Sequence, residues 1–305
     1  MDDAERLRCL EILHTTPEKL RAALGGISKK LLTWSPAPGK WSILEIVCHM
    51  RDMEREAYLA RYRRLLAEDN PSLPGIDGDA LSLERDYRTQ KLTEVVREWK
   101  VLRKESLKAL KATRGPALER AGIHEGLGRM TVADYLRRHA IGNDEAHLSQ
   151  IDAIKRRHAI LTRLEAGPAR FAEAVKGLSD EALRKRPVSG KWSILENACH
   201  LRDFERLAPE RYSKIAFSDQ PKLWMMNNDR VAEALKYGEA DGAEVVKEFK
   251  RRRGDTLTLL RALPDAAWRR TGLHPKRGEL TIEQLASLLA DHDENHIGKM
   301  KALRS

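Results

Sequence analysis

The stretch GKWSILENACHLRDFER, residues 190–206, decides the fold, because a near copy of it, GKWSILEIVCHMRDMER, occupies residues 39–55. In each copy a serine is followed three positions later by a glutamate and by apolar residues at helical spacing. This pattern is a capping box, and it predicts that a helix begins at Ser42 and again at Ser193. The repetition indicates either a helix start used in two copies of one fold or a duplicated site containing His49 and His200.

Two further segments repeat in the same order. AGIHEGLGRMTVADYL (121–136) returns as TGLHPKRGELTIEQLA (271–286), and GNDEAHLSQIDAIK (142–155) returns as DHDENHIGKMKAL (291–303). The offset barely changes, so the halves are colinear copies of a long unit, which is typical of a duplicated domain and not of a solenoid. We predict one domain over residues 1–158 and another over 159–305.

Each unit is predicted to contain four helices, and almost nothing in the sequence indicates a strand. The second helix starts at the capping box, and long connections separate it from the third, as in a bundle whose crossover joins parallel helices. The other helices are predicted at 17–32, 91–111 and 131–158 in the first unit, and at 167–183, 242–262 and 281–303 in the second. The predicted fold is all-α, with two tandem four-helix bundles.

Composition narrows the function classes. Charged residues make up 33% of the 305 residues, and the formal net charge is +10. The basic runs alternate with acids along the predicted helices, so a solvated surface is favoured over nucleic-acid binding, which ranks last. No apolar run approaches the roughly 20 residues that a membrane span needs. Three cysteines without CxxC spacing are typical of a reducing compartment, and a cytoplasmic location is expected.

Histidines at helical spacing predict a metal site in the second half. His292 and His296 are four residues apart, so both imidazoles lie on one helix face and can share an ion. The apolar spacing of the preceding residues turns this face partly inward, and His200 is the natural third ligand. Three histidines would leave positions open for water or a substrate. Chance surface histidines are the alternative for the pair taken alone.

The first half departs from this pattern. Its equivalents are His49, Asn143 and His147, and an asparagine is a poor ligand for a borderline metal ion. His139 lies about 12 Å from His147 along a helix axis, so it cannot replace Asn143. We predict that the first site is degenerate.

Other residues near these histidines have open roles. Asp203 and its counterpart Asp52 are expected either to orient the helix-two imidazole or to form ion pairs with neighbouring arginines. Asp293 and Glu294 are expected to be solvated and not coordinating.

The remaining repeated residues are expected to be mainly structural. Trp41 and Trp192 are predicted to be packing anchors, and Cys48 and Cys199 small core residues. His124 and His274, in the predicted loop before the fourth helix, are expected to be structural or to reach the mouth of the site.

The phrase 190–206, together with HPKRGELTIEQLASLLADHDENHIGKM at 274–300, resembles the DinB-like superfamily of metalloenzymes (DinB/YfiT type). The resemblance covers each half separately. It implies an up-down-down-up four-helix bundle that holds a divalent ion, zinc or nickel, through His200, His292 and His296. Characterised members include transferases and isomerases that use a low-molecular-weight thiol.

Three functions are therefore compared. The leading hypothesis is a metal-dependent, thiol-dependent transferase acting on a small molecule, in which the ion lowers the pKa of the thiol. The second is a non-catalytic module stabilised by the metal, with the first half as a platform for a homodimer or for an internal pseudo-dimer of the bundles. Nucleic-acid binding is the third. The sequence identifies no catalytic residue beyond the metal ligands.

Overall fold

A computed structural model describes residues 1–187 and 191–304. The chain divides into two compact units, Met1–Arg156 and Arg157–Ser305. Each unit is a bundle of four principal helices, which confirms the predicted fold class. No helix in the described part of the chain is long and apolar enough to cross a bilayer.

The first unit contains seven helices and the start of an eighth, which continues into the second unit. They are α1 Asp3–Leu24, α2 Lys29–Leu32, α3 Ile43–Asp52, α4 Ala60–Ala67, α5 Gly78–Glu84, α6 Leu92–Ala112, α7 Val132–Arg137 and α8 Ala146–Val175. The second unit then has α9 Asp180–Arg184, α10 Ile194–Phe217, α11 Asn228–Ala234, α12 Gly242–Ala262, α13 Asp265–Trp268 and α14 Ile282–Ala302. Short 3-10 turns occur at Tyr87–Thr89, Gly115–Glu119 and Tyr237–Glu239.

The second and third bundle helices run parallel, as the long crossover predicts. Gly242 at the start of α12 lies against Leu195 at the start of α10, and farther along both helices Arg253 bonds to Glu205. Contacts in the opposite order join α10 to α14, where Asn197 meets His296 and His200 meets His292.

The first helix of the second bundle is antiparallel to the third. Leu164 of α8 contacts Arg253 of α12, whereas the later Phe171 stacks on the earlier Phe249. These directions confirm the up-down-down-up order.

Two short hairpins lie where the sequence predicted a loop before the fourth helix, and they correct the expectation that almost nothing forms a strand. β2 Ala121–His124 pairs with β3 Gly128–Thr131, and β4 Thr271–His274 pairs with β5 Gly278–Thr281, each pair antiparallel. A two-residue strand, β1 Ser72–Leu73, adds to β2 in parallel. Four-residue strands are too short for an alternating pattern to reveal them, although Gly128 and Gly278 occupy the left-handed conformation that a tight turn requires.

The first helix of each bundle begins well before a proline and continues past it, whereas the sequence predicted helix starts near residues 17 and 167. Pro17 lies inside α1 and Pro168 inside α8. A proline cannot donate to the carbonyl four residues earlier, which here belongs to Leu13 or Leu164. In the first bundle Leu13 O instead accepts from the buried Arg103 at 3.0 Å, so the helix continues.

Wide π-helical segments interrupt two helices of the first bundle. Met53–Leu59 joins α3 to α4, and Arg138–Glu145 joins α7 to α8, whereas the equivalent α10 and α14 are uninterrupted. The repeat offset falls by one residue across each segment. Across the first segment the offset changes from 151 (His49 and His200) to 150 (Tyr62 and Tyr212). Across the second it changes from 150 (Thr131 and Thr281) to 149 (Asp144 and Asp293). Each wide turn therefore accommodates one extra residue.

Candidate metal centre

A capping box fixes the start of α10 two turns before His200. Ser193 Oγ accepts from the Glu196 backbone at 3.2 Å, and the Glu196 carboxylate accepts from the Ser193 backbone at 2.8 Å. The same reciprocal pair, Ser42 with Glu45, starts α3. Both predicted helix starts are thereby confirmed.

The structure brings His200, His292 and His296 together inside the second bundle. Each can offer a nitrogen within 4.8 Å of the nitrogens of the other two, and no other group of three or more His, Cys, Asp or Glu residues does so among the described residues. The Nε2 atoms of His200 and His292 are 2.9 Å apart. His200 is buried and the other two are half-buried.

An asparagine orients one of the three imidazoles. Asn197 Oδ1 accepts from His296 Nδ1 at 2.8 Å, which leaves Nε2 of that ring with its lone pair free. The amide nitrogen of Asn197 donates to the carbonyls of Ser193 and Trp192 at 2.8 and 3.3 Å, so the oxygen faces the histidine. The first copy has Ile46 at this position, a difference visible in the two quoted phrases but not recognised from them.

Burial keeps the three imidazoles neutral. It lowers the pKa of His200 to about 4. The pKa of His296 is lowered to about 3 by burial and by repulsion from a protonated His200. The pKa of His292 is lowered to about 2 by burial and by repulsion from protonated His296 and His200. At pH 7 each ring therefore has a lone pair, which is the state that binds a metal. The donor set fits a three-histidine zinc or nickel site.

Aromatic rings and two cavities surround the three histidines. Trp192 lies 5.1 Å from His200, and Phe204 stacks on His292 at 4.3 Å between ring centroids. A cavity of about 650 Å³ opens beside His292, and another of about 570 Å³ beside His296. Small molecules thus have room next to the imidazoles from two sides.

The equivalent residues of the first bundle form no such group. The rings of His49 and His147 are 5.0 Å apart, but Asn143 donates its amide to Asp144 at 3.2 Å. Gly78 packs so closely on His49 that an added Cβ would lie 2.8 Å from the ring. The close packing of Gly78 on His49 and the lack of a third imidazole support the prediction that this site is degenerate.

The carboxylates near the histidines are engaged in ion pairs. Asp203 pairs with Arg202 and Arg252 at 2.7 and 3.0 Å, which is the ion-pair alternative of the two predicted roles. Asp293 is buried and pairs with Arg253 at 2.7 Å, so the prediction that it is solvated was wrong. Hydropathy patterning did not reveal a charged residue facing the core.

A buried cluster of charges in each bundle was missed from the sequence. Arg253 contacts Glu205 at 2.6 Å, Asp293 at 2.7 Å and the Leu164 carbonyl at 3.0 Å. All three charged side chains are nearly inaccessible. Burial raises the pKa of Asp293 to about 6 in spite of the nearby guanidinium.

The first bundle has the same cluster with one addition. Arg103 contacts Glu54 and Asp144, each at 2.6 Å, and His139 lies 2.8 Å from Glu54. His139 also stacks on Tyr58 at 4.0 Å. Although burial opposes it, the nearby His139 and Arg103 hold the pKa of Glu54 well below its ordinary value. The repeated E, R and D, at offsets of 151, 150 and 149, were a signal that could have revealed both clusters.

The remaining repeated residues occupy structural positions. Cys48 and Cys199 are fully buried, and burial raises the pKa of their thiols to about 12 and about 11, which excludes easy ionisation. Trp41 packs on His49 as Trp192 packs on His200. His274, at the end of β4, contributes to the wall of the cavity beside His292.

Comparison with known proteins gives a family and two relatives. The model of the DinB superfamily matches residues 12–151 and 163–300. Two proteins of Bacillus subtilis (strain 168) are similar to the chain. "Uncharacterized protein YuaE" is 27% identical over 143 residues, which cover 43% of this chain and 88% of YuaE. "Putative metal-dependent hydrolase YfiT" is 25% identical over 141 residues, which cover 46% of this chain and 79% of YfiT.

A solved structure is also similar. It is described as "YfiT from Bacillus subtilis is a probable metal-dependent hydrolase with an unusual four-helix bundle topology". It is 23% identical with a TM-score of 0.46, covering 48% of this chain and 84% of that one.

Proposed function

Because this chain belongs to the DinB superfamily, we propose that its second bundle is a metal-dependent enzyme in which His200, His292 and His296 bind one divalent ion, zinc or nickel. The observation that carries the proposal is the convergence of three neutral imidazoles beside a cavity. A structural zinc site has four protein ligands, whereas three protein ligands leave a position for water or a substrate.

The residues around the ligands have separate tasks. Asn197 fixes the tautomer and orientation of His296, and Trp192 and Phe204 cover the imidazoles with apolar surface. A divalent ion, when bound, lowers the pKa of a thiol or water molecule at its open position. The cavity beside His292 admits the small molecule that reacts there.

The proposed reaction is transfer to or from a low-molecular-weight thiol. Cys199 adjoins His200 in sequence, but it is fully buried and its thiol has a pKa of about 11, so it is unsuited to act as the nucleophile. A thiol used at this centre would therefore be supplied by a diffusible molecule. Hydrolysis is a second candidate, favoured by the name of YfiT, and would use water in place of the thiol.

One set of assays separates these reactions. Zinc-loaded and nickel-loaded protein would be mixed with glutathione, cysteine or no thiol, together with either an alkylating electrophile or an ester. Thiol-dependent turnover of the electrophile supports the transferase, and thiol-independent ester cleavage supports the hydrolase. His292→Ala is the negative control, and His49→Ala, in the other bundle, is the matched control. Rates equal to those of His292→Ala in every assay would contradict both.

Metal removal tests the non-catalytic alternative. If the ion only stabilises a binding module, chelation should melt the second bundle in circular dichroism. If the ion is catalytic, chelation should abolish turnover and leave most helical signal.

A further inference from the structure

We propose that the substrate of this centre carries a carboxylate, which Arg211 binds at the end of the cavity away from His292. The inference rests on the proposed function, because the other end of the substrate is taken to react at the metal centre. Binding of the carboxylate by Arg211, however, needs no metal. The evidence consists of an incompletely bonded buried guanidinium, the charges around the cavity and an aromatic ring between its two ends.

Arg211 is buried without a balancing charge. Its side chain is 8% exposed and lines the cavity of about 650 Å³ beside His292. One terminal nitrogen donates to the Trp224 carbonyl at 2.7 Å, whereas Nε has no hydrogen-bond partner among the described residues. Within that part of the chain no carboxylate forms an ion pair with it. Burial of a guanidinium that lacks a counter-ion and part of its hydrogen bonds costs folding free energy, and a bound anion would offset that cost.

The cavity wall is basic and partly apolar. His274, Lys276 and Arg277 come from the β4–β5 hairpin, and the acidic Asp291 in the wall is already paired with Arg163. The excess of positive charge favours an anionic ligand. Leucines of α14 and methionines 225 and 226 supply the apolar part of the wall, so an anion with a hydrocarbon portion suits the cavity.

Phe204 connects the two ends. The Arg211 guanidinium carbon lies 5.5 Å from its ring centroid, and the His292 ring stacks on it at 4.3 Å. Arg211 and His292 therefore both contact the same aromatic side chain. A short molecule lying along Phe204 can place its carboxylate at Arg211 and its reacting group at the imidazoles.

The first bundle provides an internal control. Arg61 occupies the equivalent position, is 7% exposed and donates to the Pro74 carbonyl at 2.6 Å. In both bundles, therefore, this arginine donates to a backbone carbonyl of the connection between the second and third helices, and this hydrogen bond stabilises the fold. In the second bundle the position equivalent to Gly78, Asn228, lines the cavity beside His292, whereas Gly78 itself packs closely on His49.

Calorimetry and ligand-observed NMR on the full chain test the proposal. The probes are the alkanoates from acetate to octanoate and 4-phenylbutyrate, each beside its neutral amide, with chelated and with zinc-loaded protein. We expect carboxylates to bind at least about tenfold more tightly than their amides in both forms. Arg211→Gln should remove this preference, and Arg61→Gln should retain it.

The outcomes separate the claims. Equal binding of acid and amide by the wild type, or no binding of any probe, overturns the proposal without the need for a variant. An unchanged preference in Arg211→Gln also overturns it. If Arg211→Gln fails to fold, Arg211→Lys keeps a donor for the Trp224 carbonyl and should weaken carboxylate binding about tenfold. A preference for carboxylates in protein that takes up no zinc when zinc is added would support recognition by Arg211 while contradicting the metal-centre proposal.

Discussion

In both bundles a buried arginine joins two carboxylates and the carbonyl released by a proline, but the first bundle adds a histidine where the second has a leucine. His139 lies against Glu54, and the equivalent residue by repeat offset is the buried Leu289. The imidazole of His139 thus adds a hydrogen-bonding group to the carboxylates of the first cluster. In the second cluster the high pKa of Asp293 allows that carboxyl group to take up a proton instead. Duplicated scaffolds can thus satisfy one electrostatic requirement in two ways.

The largest expected difference between the bundles is in metal binding. His292→Ala removes one of three ligands and should weaken zinc binding by more than the about 10–100-fold that outer-shell changes cause. His49→Ala should leave the bound zinc unchanged at one equivalent, because the first bundle lacks the third imidazole. Metal analysis after dialysis against a weak chelator measures both. Two equivalents in the wild type would contradict the asymmetry.

Removing the buried arginine tests the shared part of the clusters. Arg103→Met leaves Glu54 and Asp144 without their guanidinium and should cost about 3–5 kcal/mol of unfolding free energy. Arg253→Met should cost less at pH 5 than at pH 7, since Asp293 can then be neutral. Urea unfolding followed by hydrogen exchange of peptides from each bundle resolves the two effects. A cost below about 1 kcal/mol for Arg103→Met would show that the cluster contributes little.

Exchanging the differing residue should convert one cluster towards the other. His139→Leu removes the imidazole that lies 2.8 Å from Glu54 and stacks on Tyr58, so a loss of about 2 kcal/mol is expected. The same peptide-resolved exchange measures it, and Leu289→Met, a volume-conserving change in the second bundle, is the control. A loss within about 0.5 kcal/mol of zero would show that the imidazole contributes little to the cluster.

The two bundles should respond differently to acid. A group with a raised pKa stabilises the fold below its unfolded pKa and loses that effect as the pH rises through its folded value. For Asp293 this window is about 4 to 6, so its carboxyl group contributes about 1 kcal/mol more to the second bundle at pH 5 than at pH 7. The lowered pKa values of His200, His292 and His296 act in the opposite direction in chelated protein, so the second bundle should lose stability overall as the pH falls through about 6.5. Glu54 has a lowered pKa, so its stabilisation is complete above about 4.5 and is lost only below that value.

Asp293→Asn provides the control for this difference in pH dependence. The substitution should enlarge the loss of stability of the chelated second bundle between pH 7 and 5 by about 1 kcal/mol, because the side chain at this position can no longer take up a proton. The first bundle should respond to acid as in the wild type. An acid-induced loss of the same size in Asp293→Asn and in the wild type would show that Asp293 does not take up a proton in this range.

The smallest difference is expected at the helix starts. Ser42→Ala and Ser193→Ala each remove a capping box and should each cost about 1 kcal/mol. The two costs should agree within experimental error, because the hydrogen bonds are the same in both bundles. Thermal unfolding of the single variants measures them. Unequal costs would show that the scaffold, as well as the site, has diverged.

The sequence was sufficient for the features that depend on local patterns. Capping residues and apolar spacing predicted the helix starts, and the spacing of His292 and His296 predicted which imidazoles meet His200. The hairpins were missed because four-residue strands have too few residues for a pattern. The charge clusters were missed because a buried arginine looks like a surface one until the packing is known. Asn197 was missed because its partner lies on another helix.

The paired wide turns of the first bundle have a consequence for how this chain changed length. An insertion inside an α-helix rotates every later residue by about 100° and would turn a core face outward. Here each extra residue is absorbed within one short segment, Met53–Leu59 or Arg138–Glu145, and Tyr62 and Asp144 beyond them keep the buried positions of Tyr212 and Asp293. The first bundle is thus one residue longer than the second inside each of two helices and keeps the same buried positions, so gaps in an alignment of the two halves belong at the wide turns as well as in the loops.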